Sequence, residues 1–285
     1  MLGRHPIFEL RDSVVAITGG ARGIGKATAA QFRDAGARVV IGDLDADLAG
    51  ETARELGGGV VATGVNVADP ESFRQFIEFA ESTLGPVDVL VNNAGIMPLA
   101  DLIDESDSVT QRIVDVNLHG VITGTKLVTP GMIERRRGHI INVASAVGRI
   151  AVAGAATYSA SKYAVIGFSE AMRSELAPAG VHVSCILPTV VNTELAVGIG
   201  TVHGSKPVSA EDVATTILKV SAAPKLETWV PARAQALYKV ASLLPRGFED
   251  WLSDKMGASN VLSKPDAEAR AAYDRRTQGD ISAAR

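Results

Sequence analysis

The sequence predicts an α/β fold in which a doubly wound parallel sheet carries helices on both faces. Short apolar runs alternate along the chain with longer stretches of helical periodicity, and this alternation is typical of strand–helix–strand units. The apolar runs are nearly continuous, as expected of strands that are covered on both sides. The 28 glycines suit the many tight turns of such a fold.

The predicted elements alternate from residue 14 to residue 230. The strands span 14–18, 38–42, 60–65, 87–92, 139–144, 181–187 and 228–230. The helices span 23–35, 47–56, 70–84, 108–134, 155–177 and 210–221, where apolar residues recur every three or four positions.

No linker divides the chain before about residue 260. We therefore expect a single domain over 1–260, with residues 233–260 as a helical extension. Residues 261–285 are expected to be a flexible tail, because the chain from 264 onwards is charged and has little apolar periodicity.

The extension has an apolar stripe that Pro245 should interrupt. A cap over a pocket and a membrane-surface anchor are two interpretations. Packing on the chain's own body or on a second subunit is favoured, because Glu249, Asp250 and Asp254 discourage binding to anionic membranes. The stripe consists of Leu237, Val240, Ala241, Leu244, Phe248, Trp251 and Leu252.

Composition excludes several classes of protein. A net charge of −4 gives no electrostatic case for a nucleic-acid-binding protein. The single cysteine, Cys185, rules out an intrachain disulfide and fits a reducing cytoplasm. Residues 1–12 lack the apolar core of a signal peptide, and no run reaches the roughly 18 apolar residues of a membrane span. We expect a cytoplasmic protein with no integral membrane span and no metal site.

A glycine-rich turn between the first strand and the first helix predicts a dinucleotide site. Gly19, Gly23 and Gly25 lack Cβ atoms, so the backbone can turn tightly and approach a diphosphate. The start of the helix offers unpaired N–H groups and the positive end of its dipole.

Asp43 ends the second strand and predicts which dinucleotide binds. A carboxylate at about this distance from the turn hydrogen-bonds the adenosine ribose and repels the additional phosphate of NADP. Arg22, within the turn, would favour that phosphate instead. NAD is favoured and NADP remains the alternative.

Tyr158 and Lys162 lie four residues apart on a predicted helix, so both should face one cleft. A nearby ammonium stabilises a phenolate and lowers its pKa, which would make Tyr158 an effective acid and base. Ser145, thirteen residues upstream of Tyr158, is placed to hydrogen-bond a substrate oxygen.

With these motifs the chain resembles the short-chain dehydrogenase/reductase family over about residues 10–230. The resemblance includes residues 18–25, 92–95 and 188–193, together with Asn117 and the Ser145–Tyr158–Lys162 set. It implies a Rossmann-type sheet of about seven strands, an NAD(P)-dependent enzyme acting on CH–OH groups, and a homodimer or homotetramer.

The resemblance also implies a role for each site residue. Tyr158 would be the acid/base, Lys162 would bind the nicotinamide ribose, and Ser145 would orient the carbonyl. Asn117 would hold a water that relays protons from Lys162. The cofactor would contact Gly19, Arg22, Gly23, Ile24, Gly25, Asp43, Leu44, Asn66, Val67, Asn93, Ala94, Gly95, Val116, Tyr158, Lys162, Pro188, Val191 and Thr193.

Two positions depart from the family pattern. Asn66 stands where the family often has Asp, and its amide oxygen can still meet an adenine amino group. Thr189 replaces the glycine that usually follows Pro188, which leaves the path of this loop open.

The expected substrate is an uncharged, lipophilic alcohol or ketone. Residues 190–206 should cover it, and Glu194 is the only charged residue between 189 and 202. His203 and Lys206 weaken this preference slightly. The predicted apolar wall consists of Ile96, Met97, Val147, Ile150, Val152, Leu195, Val197 and Ile199.

The sequence is consistent with three functions. The leading one is an NAD-dependent oxidoreductase that interconverts a lipophilic secondary alcohol and its ketone. The second is an NADP-dependent ketone or 3-oxoacyl reductase. The third, from a different class, is a non-catalytic nucleotide-binding regulator or scaffold.

Overall fold

The computed structural model describes residues 9–200, 207–243, 262 and 266–278. Seven parallel strands form one sheet: β1 (Val14–Thr18), β2 (Arg38–Asp43), β3 (Val61–Gly64), β4 (Val89–Asn92), β5 (Gly138–Val143), β6 (Val181–Pro188) and β7 (Glu227–Val230). Their order is β3-β2-β1-β4-β5-β6-β7. The predicted fold, a Rossmann-type doubly wound parallel sheet with a C-terminal helical extension, is confirmed.

Nine helices of two turns or more are present in the described residues. They are α1 (Gly23–Asp34), α2 (Ala46–Leu56), α3 (Pro70–Leu84), α4 (Asp107–Val114), α5 (Gly120–Glu134), α6 (Ala156–Leu176), α7 (Ala210–Ala222), α8 (Ala232–Ala241) and α9 (Ala267–Gln278).

The core lies on both faces of the sheet, because β1, β4 and β5 are buried along their whole length. The direction in which strands are added reverses between β1 and β4. β2 and β3 lie on one side of β1, and β4 to β7 follow one another on its other side. In open α/β sheets ligands bind at the carboxyl ends of the strands beside such a reversal. The topology therefore predicts a ligand site at the carboxyl ends of β1 and β4.

One predicted helix is divided in the structure. Where the sequence predicted a helix over 108–134, α4 passes through a π-helical turn, Asp115–His119, before α5 begins. A single π turn within an α-helix leaves the segment helical throughout, so the sequence predicted one continuous helix here.

The predicted flexible tail is wrong for the described part of 261–285. Residues Ala267–Gln278 form α9, and Arg270, Tyr273 and Thr277 on it are buried. These three residues follow helical spacing, but Arg270 and Thr277 are polar. A search for apolar periodicity therefore missed this face of the helix.

The apolar stripe of the extension is not buried in its described part. Leu237 and Val240 are exposed, while Tyr238 stacks on Trp229 with ring centroids 5.2 Å apart. The expectation that the chain's own body buries the stripe is therefore wrong for Leu237 and Val240. The remaining large stripe residues, Leu244, Phe248, Trp251 and Leu252, lie outside the described residues, as do Pro245, Glu249, Asp250, Asp254, His203 and Lys206.

Candidate active site

A cavity of about 1410 Å³ opens at the carboxyl ends of the central strands. Asp43, Val143 and Pro188, the last residues of β2, β5 and β6, line it. Ligand pockets commonly measure roughly 300–1,000 Å³. The cavity therefore has room for a dinucleotide together with a substrate.

The glycine-rich turn forms one end of this cavity. A Cβ on Gly25 would lie 2.0 Å from the carbonyl oxygen of Gly19, and one on Gly19 would lie 2.9 Å from Cα of Ala94. Gly23 has a φ of +52°, a conformation that residues with a side chain rarely adopt. The Arg22 side chain does not cap α1, and the first turn of α1 holds no acidic residue. This combination fits a dinucleotide diphosphate.

Asn93 fixes the turn from the neighbouring strand. Its Nδ2 donates to the carbonyl oxygens of Thr18 at 2.9 Å and Gly19 at 3.0 Å. The Thr18 hydroxyl accepts from the backbone N–H groups of Asn93 and Ala94. The ends of β1 and β4 are thereby held together beneath the cavity.

Asp43 lines the cavity beside the glycine-rich turn. Its Oδ2 accepts from the backbone N–H of Ala21 at 3.1 Å, and its Oδ1 accepts from that of Asp45 at 3.2 Å. The side chain of Arg22 forms ion pairs with Asp45 and Glu194, both at 3.0 Å. The guanidinium that would attract an NADP phosphate is therefore already paired with two carboxylates.

The neighbouring predicted positions also lie at this end. Leu44, Asn66, Val67 and Val116 all line the cavity. The Asn66 side-chain oxygen accepts from the backbone N–H of Ala68 at 3.1 Å, so this amide turns the chain after β3 as well as facing the cavity.

Tyr158 and Lys162 lie on α6, and both are buried. The Lys162 Nζ donates to the Val143 carbonyl at 3.0 Å and lies 5.7 Å from the centroid of the Tyr158 ring. The Ser145 side chain lies near enough to the Tyr158 phenol to act on its pKa, and its hydroxyl donates to the Pro188 carbonyl at 3.5 Å. The structure thus brings together the three polar groups that the sequence singled out.

Burial controls the protonation of this pair. It raises the pKa of Tyr158 above its ordinary value, although the neighbouring Ser145 side chain opposes this shift. Burial also lowers the pKa of Lys162 to about 8. The net shift of the Tyr158 pKa is therefore upward, opposite to the direction predicted from a nearby ammonium, because desolvation of the phenol dominates.

Asn117 lies in the π-helical turn and is fully buried. Its Oδ1 accepts from the backbone N–H of Ile96, and its Nδ2 donates to the Ile96 carbonyl, both at 2.9 Å. Its Nδ2 also donates to Ser161 at 3.2 Å. A Cβ on Gly95 would lie 3.3 Å from the Asn117 Oδ1 and 3.5 Å from the Lys162 Nζ. The side chain of Asn117 thus fixes the segment that passes beside Lys162.

The cavity gathers all the predicted site residues except Gly25 and Asn117, which lie behind its wall. Of the predicted apolar wall, Val197 alone does not line it. Sequence reasoning missed a group at the C-terminal end, and only helical spacing at 270, 273 and 277 could have indicated it. The lining residues of this group are Leu262, Tyr273, Arg276 and Thr277, and Arg112 on α4 also lines the cavity without having been predicted.

Two other kinds of site are absent from the described part of the chain. No cluster of three His, Cys, Asp or Glu residues there could hold a metal ion. None of its helices is both long and apolar enough to cross a membrane.

The chain is similar to known oxidoreductases. A family model described as short chain dehydrogenase matches residues 13–202. A 3-oxoacyl-[acyl-carrier-protein] reductase of Thermotoga maritima is 37% identical over 191 residues, which are 66% of this chain and 78% of the relative. Zerumbone synthase of Zingiber zerumbet is 33% identical over 192 residues, 66% of this chain and 72% of that protein.

A solved structure agrees with both the fold and the family. The crystal structure of a short-chain dehydrogenase/reductase from Burkholderia phymatum in complex with NAD superposes with a TM-score of 0.76 at 25% identity. The match covers 82% of this chain and 94% of that one. The chain belongs to the short-chain dehydrogenase/reductase family, whose members are NAD(P)-dependent oxidoreductases acting on CH–OH groups.

Proposed function

We propose that this protein interconverts a lipophilic secondary alcohol and its ketone, with NAD as the hydride carrier. The observation that carries the proposal is a shared cavity. Ser145, Tyr158 and Lys162 line the same space as the glycine-rich turn and Asp43. If a nicotinamide cofactor bound with its diphosphate at the glycine-rich turn and extended towards α6, its nicotinamide ring would lie near the Tyr158 hydroxyl.

The proposed chemistry divides between the cofactor and the protein. Bound NAD(H) supplies or accepts the hydride at the carbinol carbon. Tyr158 donates a proton to the ketone oxygen during reduction and removes the hydroxyl proton during oxidation. Ser145 donates a hydrogen bond that orients the carbonyl oxygen. Since burial raises the pKa of Tyr158, the phenol holds its proton at neutral pH, as the reductive direction requires.

Lys162 is proposed to bind the nicotinamide ribose and to tune Tyr158. Its ammonium is anchored on the Val143 carbonyl, which leaves two further donors. Asn117, through its three hydrogen bonds, positions the wall beside Lys162. The predicted proton relay through a water on Asn117 is retained as part of the proposal.

The remaining predicted residues would hold the cofactor. The turn and the start of α1 would bind the diphosphate, Asp43 the adenosine ribose, Asn66 and Val67 the adenine, and Thr193 the carboxamide. Gly23 supports this placement, because a Cβ on it would lie 3.3 Å from the Cγ2 of Thr193. The cofactor would thus lie between the turn and the segment after β6.

The preference for NAD over NADP rests on charge. Asp43 faces the cavity, and its carboxylate would repel a 2′-phosphate. Arg22, the cation that could offset this repulsion, is paired with Asp45 and Glu194. NADP binding would have to break those pairs.

The preference for a lipophilic substrate rests on the cavity wall. Met97, Tyr158 and Leu262 form one buried apolar cluster, against which Leu195 and Ile199 pack. The charged residue of the covering segment, Glu194, is engaged by two arginines. Burial raises the pKa of Glu194, but hydrogen bonds from those arginines outweigh it, and the net pKa is lowered. Glu194 is thus a paired carboxylate.

A 3-oxoacyl or ketone reductase that uses NADPH is the second candidate. It is favoured by the similarity to 3-oxoacyl-[acyl-carrier-protein] reductases of Thermotoga maritima and Vibrio cholerae, at 37% and 36% identity. Titrating the purified protein with NADH and with NADPH separates the candidates. The proposal expects tighter binding of NADH and turnover within a panel of lipophilic alcohols and ketones. Tighter binding of NADPH with turnover of 3-oxoacyl thioesters would favour the second candidate.

Three further expectations accompany the proposal. The catalytic domain comprises residues 1–260 together with α9, which lines the cavity, the protein is cytoplasmic, and it forms a homodimer or homotetramer. Sedimentation of the purified protein, which gives the mass of the assembly, tests the last of these.

A further inference from the structure

The C-terminal helix α9 docks on the substrate end of the cavity through a polar face. Arg270 is 1% exposed, Tyr273 7% and Thr277 8%. Tyr273, Arg276 and Thr277 line the cavity. The helix therefore contributes to the cavity wall, although the sequence placed it in a tail.

Arg270 connects this helix to two separate loops. Its Nη1 donates to the carbonyl oxygens of Leu195 at 3.2 Å and Val197 at 2.9 Å, and its Nη2 donates to that of Met97 at 2.7 Å. Its Nε lies 3.7 Å from the Asp274 carboxylate, an ion-pair distance. One buried guanidinium thus joins the loop after β4 to the segment after β6.

The loops that Arg270 joins carry substrate wall. Met97 and Leu195 line the cavity. Met97 belongs to the apolar cluster that contains Tyr158, and Leu195 packs against that cluster. Two further contacts reinforce the connection. The Tyr273 hydroxyl accepts from the Met97 backbone N–H at 2.8 Å, and the Asp266 backbone N–H donates to the Gly198 carbonyl at 2.8 Å.

We propose that α9 is the wall that selects the substrate, and that Arg270 is its positioning residue. By holding Met97 and residues 195–197 together, Arg270 fixes the distance across the substrate end of the cavity. This inference rests on the proposed function for its substrate, but the connection between the loops can be measured without turnover.

The chemistry of arginine explains why this residue is required. Its planar guanidinium offers five donors in a fixed fork, and three of its hydrogen bonds reach carbonyls on two loops. A lysine is a point charge that cannot reproduce the fork. Loss of the side chain would leave buried carbonyls without partners, so the two loops should separate or admit water.

The test compares Arg270→Met and Arg270→Lys with Arg275→Met, a control on the exposed side of the same helix. The first readout is hydrogen exchange of the full-length protein without substrate. We expect the backbone amides around Met97 and residues 194–199 to exchange about tenfold faster or more in both Arg270 variants. The control should match the wild-type protein.

The second readout is a pair of alcohols, one small and one bulky, assayed with NAD. We expect Arg270→Met to raise the KM for the bulky alcohol about fivefold or more relative to the small one, while the NADH affinity changes less than about twofold. Equal KM changes for both alcohols would overturn the selective role. Exchange rates at the two loops equal to those of the control would overturn the connection itself.

A third variant protects the test against misfolding. Tyr273→Phe removes a single hydrogen bond to Met97 and keeps the ring, so it should fold when Arg270→Met does not. It should accelerate exchange at Met97 more than at residues 195–197. If the protein turns over no alcohol or ketone, the proposed function fails, but the exchange result still decides whether Arg270 joins the loops.

Discussion

Replacement of Gly25 by alanine tests the cofactor turn most sharply. The added Cβ would lie 2.0 Å from the Gly19 carbonyl oxygen and 2.8 Å from the Asn93 Nδ2. Since such contacts essentially never fall below 3.0 Å, the turn must move by about 1 Å. Gly19 cannot retreat easily, because Asn93 holds its carbonyl at 3.0 Å. Overpacking of this kind costs about 1–3 kcal/mol, which corresponds to a loss of about 5- to 150-fold in NADH affinity if the turn moves away from the cofactor.

The assay is a fluorescence titration with NADH, together with urea unfolding. Gly167→Ala is the matched control, because Gly167 is exposed on α6 and a Cβ there would meet nothing within 4 Å. The control should keep its NADH affinity and gain about 0.5–1 kcal/mol of stability, as expected for Gly→Ala within a helix. If Gly25→Ala binds NADH within about twofold of wild type, the reasoning about the turn is refuted.

Two further predictions concern charge. Asp43→Ser combined with Leu44→Arg should raise the use of NADPH relative to NADH by about tenfold or more. The substitutions remove the repulsive carboxylate and add a guanidinium that can bind the 2′-phosphate bidentately. A wild-type protein that already prefers NADPH would contradict the argument from Asp43. Burial, reinforced by the charge of His182, lowers the pKa of His139 to about 3 from its ordinary value of about 6.5. The unfolded chain therefore binds a proton that the folded chain excludes, and the free energy of unfolding should fall as pH decreases from about 6.5 towards 3, by up to about 1.4 kcal/mol per pH unit. Urea unfolding of His139→Asn between about pH 5 and 6.5 should show a flatter slope than wild type, and equal slopes would exclude His139 as the cause.

The sheet was predictable because its strands are encoded locally. A strand such as Val14–Thr18 is buried on both faces, so its residues are nearly all apolar and its bounds stand out in the sequence. The carboxyl ends of parallel strands meet at one edge, so the glycine-rich turn and Asp43 could be placed together from the chain alone.

The predictions failed where polar side chains are buried in contacts between elements. The buried face of α9 carries Arg270, whose burial depends on carbonyls about 75 and 173 residues away in the sequence. No local pattern encodes such partners. The protonation of Tyr158 was misjudged for a related reason, since burial is a property of the fold and it outweighed the expected effect of Lys162.

The central claim is tested most directly by measuring both the turnover and the NADH affinity of the Tyr158→Phe variant. The variant keeps the buried ring and loses the phenolic oxygen that is proposed to exchange the proton with the substrate. We expect turnover of the best alcohol or ketone substrate to fall by about 10²- to 10⁴-fold, with NADH affinity close to that of wild type. Turnover within about threefold of wild type would contradict the assignment of Tyr158 as the acid/base.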